Sequence, residues 1–427
     1  MRSTAVGCFD DFDRRLDGQG PLGVAVSGGG DSLALLYALK AWGHRPLEVF
    51  CVDHGLNPAS HDWTAAVARH AARLGAGFTA LTWKGEKPRT GLSAAAREAR
   101  HRLLAQAARS KGVRVLCLGH TRDDIAEAEI MRADGSNVTA PQAWAPSPAW
   151  PEGRGIFLYR PFLNVRRAAL RTFLRELDVD WIDDPANGNP RSARARARLA
   201  LPDVLPPVAE APPLLTRDTA LDLIDPAYLP WGLIALRADV FAALPPETAT
   251  RLLSAAVVSA GGAVRLPRRA EVERLLAVLF AGGAPHTLCG ARIRMSDGQV
   301  HVAREAGDIG RNSPRTVAVE AGQEIVWDGR FAVTAPRAGH ILAAGGMGAR
   351  LDDTDRRTLG ALPPGLRAGQ PVWTDGANSS LATNAALRQS PYNGPLATGW
   401  VGPRFLAAAG LYARESEAVL PPDGIWR

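Results

Sequence analysis

The sequence predicts an α/β protein: a doubly wound parallel sheet at the N-terminal end, then a helical region and a small β-rich C-terminal part. Three observations carry this expectation. Short apolar runs alternate with segments of helical spacing through the first 200 residues, the signature of strands joined by crossover helices. The first apolar run ends in a glycine-rich turn that opens directly into a helical pattern. A proline-rich stretch over 201–213 then separates this pattern from one of helices followed by Asp-Gly turns between alternating strands. The expected domains are therefore 1–200, a linker at 201–213, a helical and hairpin domain at 214–310, and a β-rich domain at 311–427.

Taken in order, residues 22–26 read as the first buried strand and 33–39 as the apolar face of the helix after it. Residues 47–56 give a second strand with a polar tip. Ser60 caps a helix that runs to Leu74 through Trp63 and Val67, and 78–83 is a third strand. A polar loop leads into a helix over 92–104, a fourth strand spans 114–118, and another helix runs through Arg132. Beyond the linker, helices are expected over 248–258 and 270–280, and a hairpin over 287–295 and 299–303 turned at Ser296-Asp297-Gly298. Further Asp-Gly turns stand at 328–329 and 375–376, and the glycine cluster at 345–348 reads as a loop.

The stretch that matters most is Ser27-Gly28-Gly29-Gly30-Asp31-Ser32, between the first strand and its helix. Three glycines allow positive φ and close approach of the backbone, so their N–H groups can form an anion nest closed by a helix N-terminus. The hydroxyls of Ser27 and Ser32 can donate to phosphate oxygens. Asp31 is an anion beside anions, which makes sense where Mg²⁺ bridges it to them. No lysine follows the glycines, so this is not the common G-x-x-x-x-G-K-[ST] nucleotide loop. Asp53 and His54 close the second strand, where they orient a nucleotide ribose or base, or cap a loop. Arg97 and Arg100 lie three apart on one helical face, solvated on spacing alone. His120, Asp123 and Asp124 follow the fourth strand, where adjacent carboxylates suit Mg²⁺ binding or proton transfer, and equally the first turn of any helix.

The formal charge is +7 with a pI near 9.6, and only four of the 50 basic residues are lysine. Arginine offers a planar fork to phosphate and suits a polyanionic partner, although a bias in codon usage produces the same composition. Arg167, Arg171 and Arg175 recur at helical spacing, as do Arg191, Arg194 and Arg198, and these two stripes are expected to meet an RNA backbone; Arg265, Arg268 and Arg269 precede a later helix. Four cysteines without a C-x-x-C pair point neither to zinc nor to a disulfide framework. With no secretory h-region and no membrane-length apolar run, the chain is expected to be soluble and cytoplasmic.

Together, the glycine loop, Val52-Asp53-His54-Gly55-Leu56, Ala96-Arg97-Glu98-Ala99-Arg100, and Gly119-His120-Thr121 with Asp123-Asp124 and Ala126-Glu127 resemble the tRNA(Ile)-lysidine synthetase family. Met131-Arg132, Arg160-Pro161-Phe162-Leu163, Asp184-Pro185-Ala186-Asn187, Arg194 and Arg198 extend the resemblance over the first half of the chain. The glycine loop alone resembles that of the wider N-type ATP pyrophosphatases. The resemblance implies ATP-dependent adenylation of the C2 oxygen of the wobble cytidine in the CAU-anticodon isoleucine tRNA. Displacement of AMP by the ε-amino group of free L-lysine then gives lysidine. It implies ATP and Mg²⁺ as ligands and no stable protein partner.

By position, the resemblance assigns Ser27, Gly28, Gly29, Gly30, Asp31, Ser32, Asp53 and His54 to ATP, Asp31 and Asp124 to catalysis, and Asp31 to the metal. Arg97, Arg100, His120, Asp123, Arg132, Arg194 and Arg198 fall to tRNA or substrate. The chain departs from the family's pattern at Ile125, where glutamine is usual, and at 133–137, where an Arg-Gly-Ser-Gly stretch is usual. A 2-thiocytidine-type synthetase and a non-catalytic nucleotide- or RNA-binding module are the alternative readings.

Overall fold

The computed structural model describes residues 9–136, 138, 140–184, 193–206, 219, 222–311, 316–383 and 396–418. The chain forms two compact units, Met1–Pro212 with Ala413–Val419, and Pro213–Tyr412 with Leu420–Arg427.

The first unit opens with helix α1 (Phe9–Arg15) and is built on strands β1 (Leu22–Ala25), β2 (Leu47–Asp53), β3 (Gly77–Thr82), β4 (Val115–Leu118), β5 (Trp144–Pro146) and β6 (Phe157–Tyr159). Their order in the sheet is β3-β2-β1-β4-β6-β5, parallel except for the pairing of β5 with β6. The chain winds outward from β1 in one direction to β3, then returns to place β4 on the other side of β1. That reversal, between β1 and β4, is where an open α/β sheet leaves a crevice at its carboxyl edge.

Both faces of the sheet are covered, which explains the continuous apolar runs in its strands. Helices α2 (Gly30–Trp42), α3 (Ser60–Arg73) and α6 (Arg167–Glu176) join α1 on one face, packing on Val24, Val49, Cys51, Val115 and Cys117. Helix α4 (Leu92–Ser110) covers the other face through Leu104, Ala105 and Ala108, against Phe50, Leu116, Leu118 and Leu158. Neighbouring residues such as Cys117 and Leu118 thus enter different cores, as the two-residue period of a strand dictates. On α2, Leu33, Leu35, Leu36 and Leu39 are at most 1% exposed, each contributing about 2 kcal/mol of burial. Helix α5 (Arg122–Ala133) follows β4, and α7 (Ala193–Leu199) packs on α5.

The apolar run read over 33–39 lies inside α2. The helix begins at Gly30, so Asp31 and Ser32 lie in its first turn. Of the three glycines only Gly28 takes positive φ, at 87°, while Gly29 is extended at φ −71°. One left-handed residue suffices to turn the strand into the helix, and a Cβ on Gly29 or Gly30 would make only ordinary contacts of 3.4 Å or more. Arg191 and most of the 201–213 stretch lie outside the described residues.

The second unit begins with the antiparallel sheet β7-β10-β9-β8, with strands Ile234–Arg237, His286–Leu288, Ala291–Ser296 and Gln299–Arg304, packed with helices Pro246–Gly261 and Arg269–Phe280. The hairpin turns at Asp297 and Gly298, both at positive φ as a two-residue turn of this hand requires. The strand expected over 287–295 is instead two strands, β8 and β9. Cys289 and Gly290 both take positive φ and fold one back on the other. Two more antiparallel sheets follow, one of β11 (Thr316–Val319), β14 (Gly339–Ala343), β15 (Pro371–Thr374) and β16 (Ser379–Leu381) in that order, the other of β12 (Glu324–Trp327), β13 (Phe331–Thr334) and β17 (Leu396–Gly399), with Asp328 and Gly329 turning β12 into β13. Among the described residues no helix is long and apolar enough to cross a membrane.

Candidate active site

At the crevice between β1 and β4 lies a cavity of about 380 Å³, within the range of small-molecule sites. Its floor is the glycine loop. Ser32 Oγ donates to the Gly29 carbonyl at 2.9 Å and accepts from Ser27 N–H at 3.2 Å, so the two serines tie the loop to itself. Ile182 N–H donates to the Gly28 carbonyl at 2.9 Å, and a Cβ on Gly28 would meet Ile182 Cδ1 at 2.5 Å. A Cβ on Gly119, at the end of β4, would stand 2.7 Å from the Asp31 carbonyl oxygen. Glycine at 119 thus lets the end of β4 approach the first turn of α2, and glycine at 28 leaves room for Ile182. The N–H groups of Gly28, Gly29, Gly30 and Asp31 have no backbone partner among the described residues, which leaves an anion nest at the start of α2.

One side of the cavity is acidic. Asp31 comes from α2, and Asp124 and Glu127 come from one face of α5. Asp124 Oδ2 accepts from both the N–H and the hydroxyl of Thr121, each at 2.8 Å, a capping box that orients its other oxygen inward. That oxygen accepts from Arg194 Nη2 at 2.6 Å. Glu127 is fully buried and accepts from Arg194 Nε at 2.9 Å, Arg198 Nε at 2.9 Å and Arg167 Nη1 at 3.1 Å. Arg167 Nε also donates to Asp31 Oδ2 at 2.9 Å. The pKa of Asp31 is raised, by burial first and also by the charge of Asp124, against the lowering by Arg167. Burial also acts upward on Asp124, but Arg194, His120 and Arg167 outweigh it and hold that carboxyl below its usual value.

The opposite side is basic. Burial, and then repulsion from Arg97 and Arg194, lowers the Arg100 pKa to about 10. Burial and the same arginine cluster lower Arg160 to about 10. His120 is held near 3 and His101 near 2, by burial first and neighbouring arginines next, so both imidazoles are neutral at pH 7. Among the described residues, buried atoms here are without partners: His54 Nδ1, Arg100 Nε and His120 Nδ1, on three residues of the cavity wall. Buried polar atoms without a partner are uncommon, and their gathering on residues of one wall marks it as more than packing.

Of the residues expected at the site, Ser27, Gly29, Gly30, Asp31, Ser32, His54, Arg100, His120, Asp124, Arg194 and Arg198 line the cavity, and Gly28 supports its floor. Others are placed elsewhere. Asp53 accepts from Gly55 N–H at 2.7 Å and shapes the turn after β2. Asp123 points away from its neighbour Asp124, accepting from Arg167 N–H at 2.8 Å and from Arg166, and so holds the start of α6. Arg132 donates to Ala128 in its own helix, and neither it nor Arg97 is part of the wall. Of the expected stripe on α6, Arg167 and Arg171 line the cavity, Arg171 donating to Asp183 at 2.8 Å, while Arg171 and Arg175 also lie over the Trp181 ring at 5.7 and 5.5 Å. Sequence reasoning gave no role to Glu127, although its spacing from Asp124 places both on one face, and it set Arg167 in a stripe expected to meet an RNA backbone, where the structure pairs it with Asp31, Asp124 and Glu127.

The family model that matches residues 8–205 is described as a PP-loop domain. Over the whole length, the chain is 43% identical to the tRNA(Ile)-lysidine synthase of Caulobacter vibrioides, covering 95% of this chain and 97% of that one. It is 37% identical to the enzyme of the same name from Hyphomonas neptunium, over 77% of this chain and 92% of the relative. The identity to that of Rhizobium meliloti is 35%, over 87% and 86%. With the cavity at the β1–β4 crevice, the glycine loop beneath it and this similarity running through both units, the chain belongs to the tRNA(Ile)-lysidine synthase family.

Proposed function

We propose that this protein uses ATP to convert the wobble cytidine of a CAU-anticodon isoleucine tRNA to lysidine. The observation that carries the reading is the bipolar cavity at the glycine loop, in a chain whose relatives with that name match along nearly its whole length. In the first step the C2 oxygen of cytidine attacks the α-phosphorus of ATP; the new P–O bond forms as the bond to pyrophosphate breaks. In the second, the lysine ε-amino nitrogen attacks C2, the C–N bond forms, AMP leaves with the C2 oxygen, and the amine gives up its proton.

The residues present fit these reactants. N–H groups from Gly28 to Asp31, without a backbone partner among the described residues, are suited to the phosphates, and His54, Arg100 and His120 on the wall supply further polar groups. Mg²⁺ would be held by Asp31 and Asp124, with phosphate oxygens completing its shell, and would neutralise charge as the α–β bond breaks. Asp124, anionic and at hydrogen-bonding distance from the wall's guanidinium groups, is the candidate to take the proton of the attacking amine. Neutral His120 leaves that wall no more positive than its arginines make it.

The thiolation alternative is disfavoured by sulfur placement. Cys51 and Cys117 are buried in β2 and β4, and burial raises both thiol pKa values, the opposite of what a nucleophilic sulfur needs. The deciding experiment incubates the protein with ATP, labelled lysine and tRNA transcripts, then digests the RNA to nucleosides. Label should appear as lysidine in the isoleucine tRNA and not in a methionine tRNA with the same anticodon triplet. Absence of label from the isoleucine tRNA, or equal labelling of both, overturns the reading.

A further inference from the structure

One guanidinium holds the acidic side of the cavity together with all three of its nitrogens. Arg167 Nε is 2.9 Å from Asp31, Nη1 is 3.1 Å from Glu127, and Nη2 is 3.5 Å from Asp124. It is aimed there by the start of α6, whose first N–H is capped by Asp123, and its side chain is only 12% exposed. Asp31, Asp124 and Glu127 face Arg167, Arg194 and Arg198, three carboxylates to three guanidinium groups. The formal charges of the cluster thus cancel, and Arg100 adds positive charge on the far wall.

We propose that Arg167 is a resident counter-ion that occupies the divalent-cation position between Asp31 and Asp124 until nucleotide arrives, making metal entry conditional on ATP. This rests on the ATP chemistry proposed above. A dication entering alone adds two positive charges to a neutral cluster and must displace a guanidinium from two carboxylates, so the free metal is disfavoured. Entering with ATP, it brings its own compensating phosphates. The displaced guanidinium then has anionic oxygens within reach of its planar fork, so its own charge stays paired. Arg167 is in this sense a positioning residue: it holds the three carboxylates in place through its ion pairs and gates what replaces it.

The test is equilibrium binding of Mn²⁺, followed by the electron paramagnetic resonance of the free ion, to the full chain with and without a non-hydrolysable ATP analogue. In wild type the analogue should tighten Mn²⁺ binding at least about tenfold. R167M should bind Mn²⁺ without nucleotide at least about tenfold more tightly than wild type, and Mg²⁺ alone should raise its melting temperature. R167K, which keeps the charge, should stay within about threefold of wild type. A folded R167M with unchanged Mn²⁺ affinity overturns the proposal. So does a wild-type protein that binds Mn²⁺ equally well with and without the analogue, a measurement that stands even if R167M fails to fold. Neither readout involves lysidine: active enzyme with unaltered Mn²⁺ binding would sink this inference alone, and inactive enzyme with the expected Mn²⁺ shifts would sink the functional reading alone.

Discussion

His101 makes the stability of the first unit depend on pH in a way that can be worked out from its surroundings. It sits on α4, 5% exposed, with neither ring nitrogen partnered, beside Arg100, Arg97 and Arg160. Burial and then those arginines lower its folded pKa from 6.5 to about 2. A depressed histidine pKa means that the unfolded chain takes up a proton below pH 6.5 while the folded chain does not, so stability is lost as pH falls through 6.5. The loss runs at about 1.4 kcal/mol per pH unit, and between pH 7 and pH 5 it comes to about 2 kcal/mol. His120, held near 3 by the same causes, adds a loss of similar sign. Urea unfolding of wild type and His101→Leu, followed by tryptophan fluorescence at pH 7, 6 and 5, isolates the His101 part. Wild type should lose about 2 kcal/mol more than the variant across that range. Equal losses in the two proteins would show that His101 is either solvated or paired when folded, and the reasoning about the basic wall would fail with it.

Asp31→Asn should lower the ATP- and tRNA-dependent release of AMP and pyrophosphate at least about 100-fold with little change in stability; ADP and phosphate as main products would contradict the assignment. Asp124→Asn should do the same but also cost about 1 kcal/mol in unfolding experiments, because Asp124 completes the cap of α5 through Thr121. In Gly119→Ala the new methyl would press on the Asp31 carbonyl at 2.7 Å, so calorimetry should find ATP binding weakened at least about tenfold and stability lower by about 1–3 kcal/mol. Replacing Arg265, Arg268 and Arg269 together should weaken tRNA binding and flatten the salt dependence of log affinity by about 2 to 3; an unchanged slope in a folded variant would remove these arginines from the tRNA contact.

What the sequence determined by itself were features set within a few residues. A strand, a glycine turn and a helix start can be read over residues 22–42 because apolar period and backbone freedom are local properties. The same holds for the hairpin at Asp297-Gly298 and for the position of Asp124 after β4. Which way a charged side chain turns is not local. Asp123 and Asp124 are neighbours on α5, yet one caps α6 and the other faces the cavity, because consecutive helical positions differ by about 100° and only packing sets the rotation of the helix. Arg167 belongs to a regular arginine stripe, but carboxylates more than 130 positions and about 40 positions away, on α2 and α5, draw it inward. The return of the chain to the first unit is a decision of tertiary structure too: Glu415 forms a buried ion pair with Arg45, 370 residues earlier, and Ser416 donates from its N–H to Asp17 at 2.8 Å. Burying a charge is tolerated only where a partner is in place, and such partners come from segments that no sequence spacing relates.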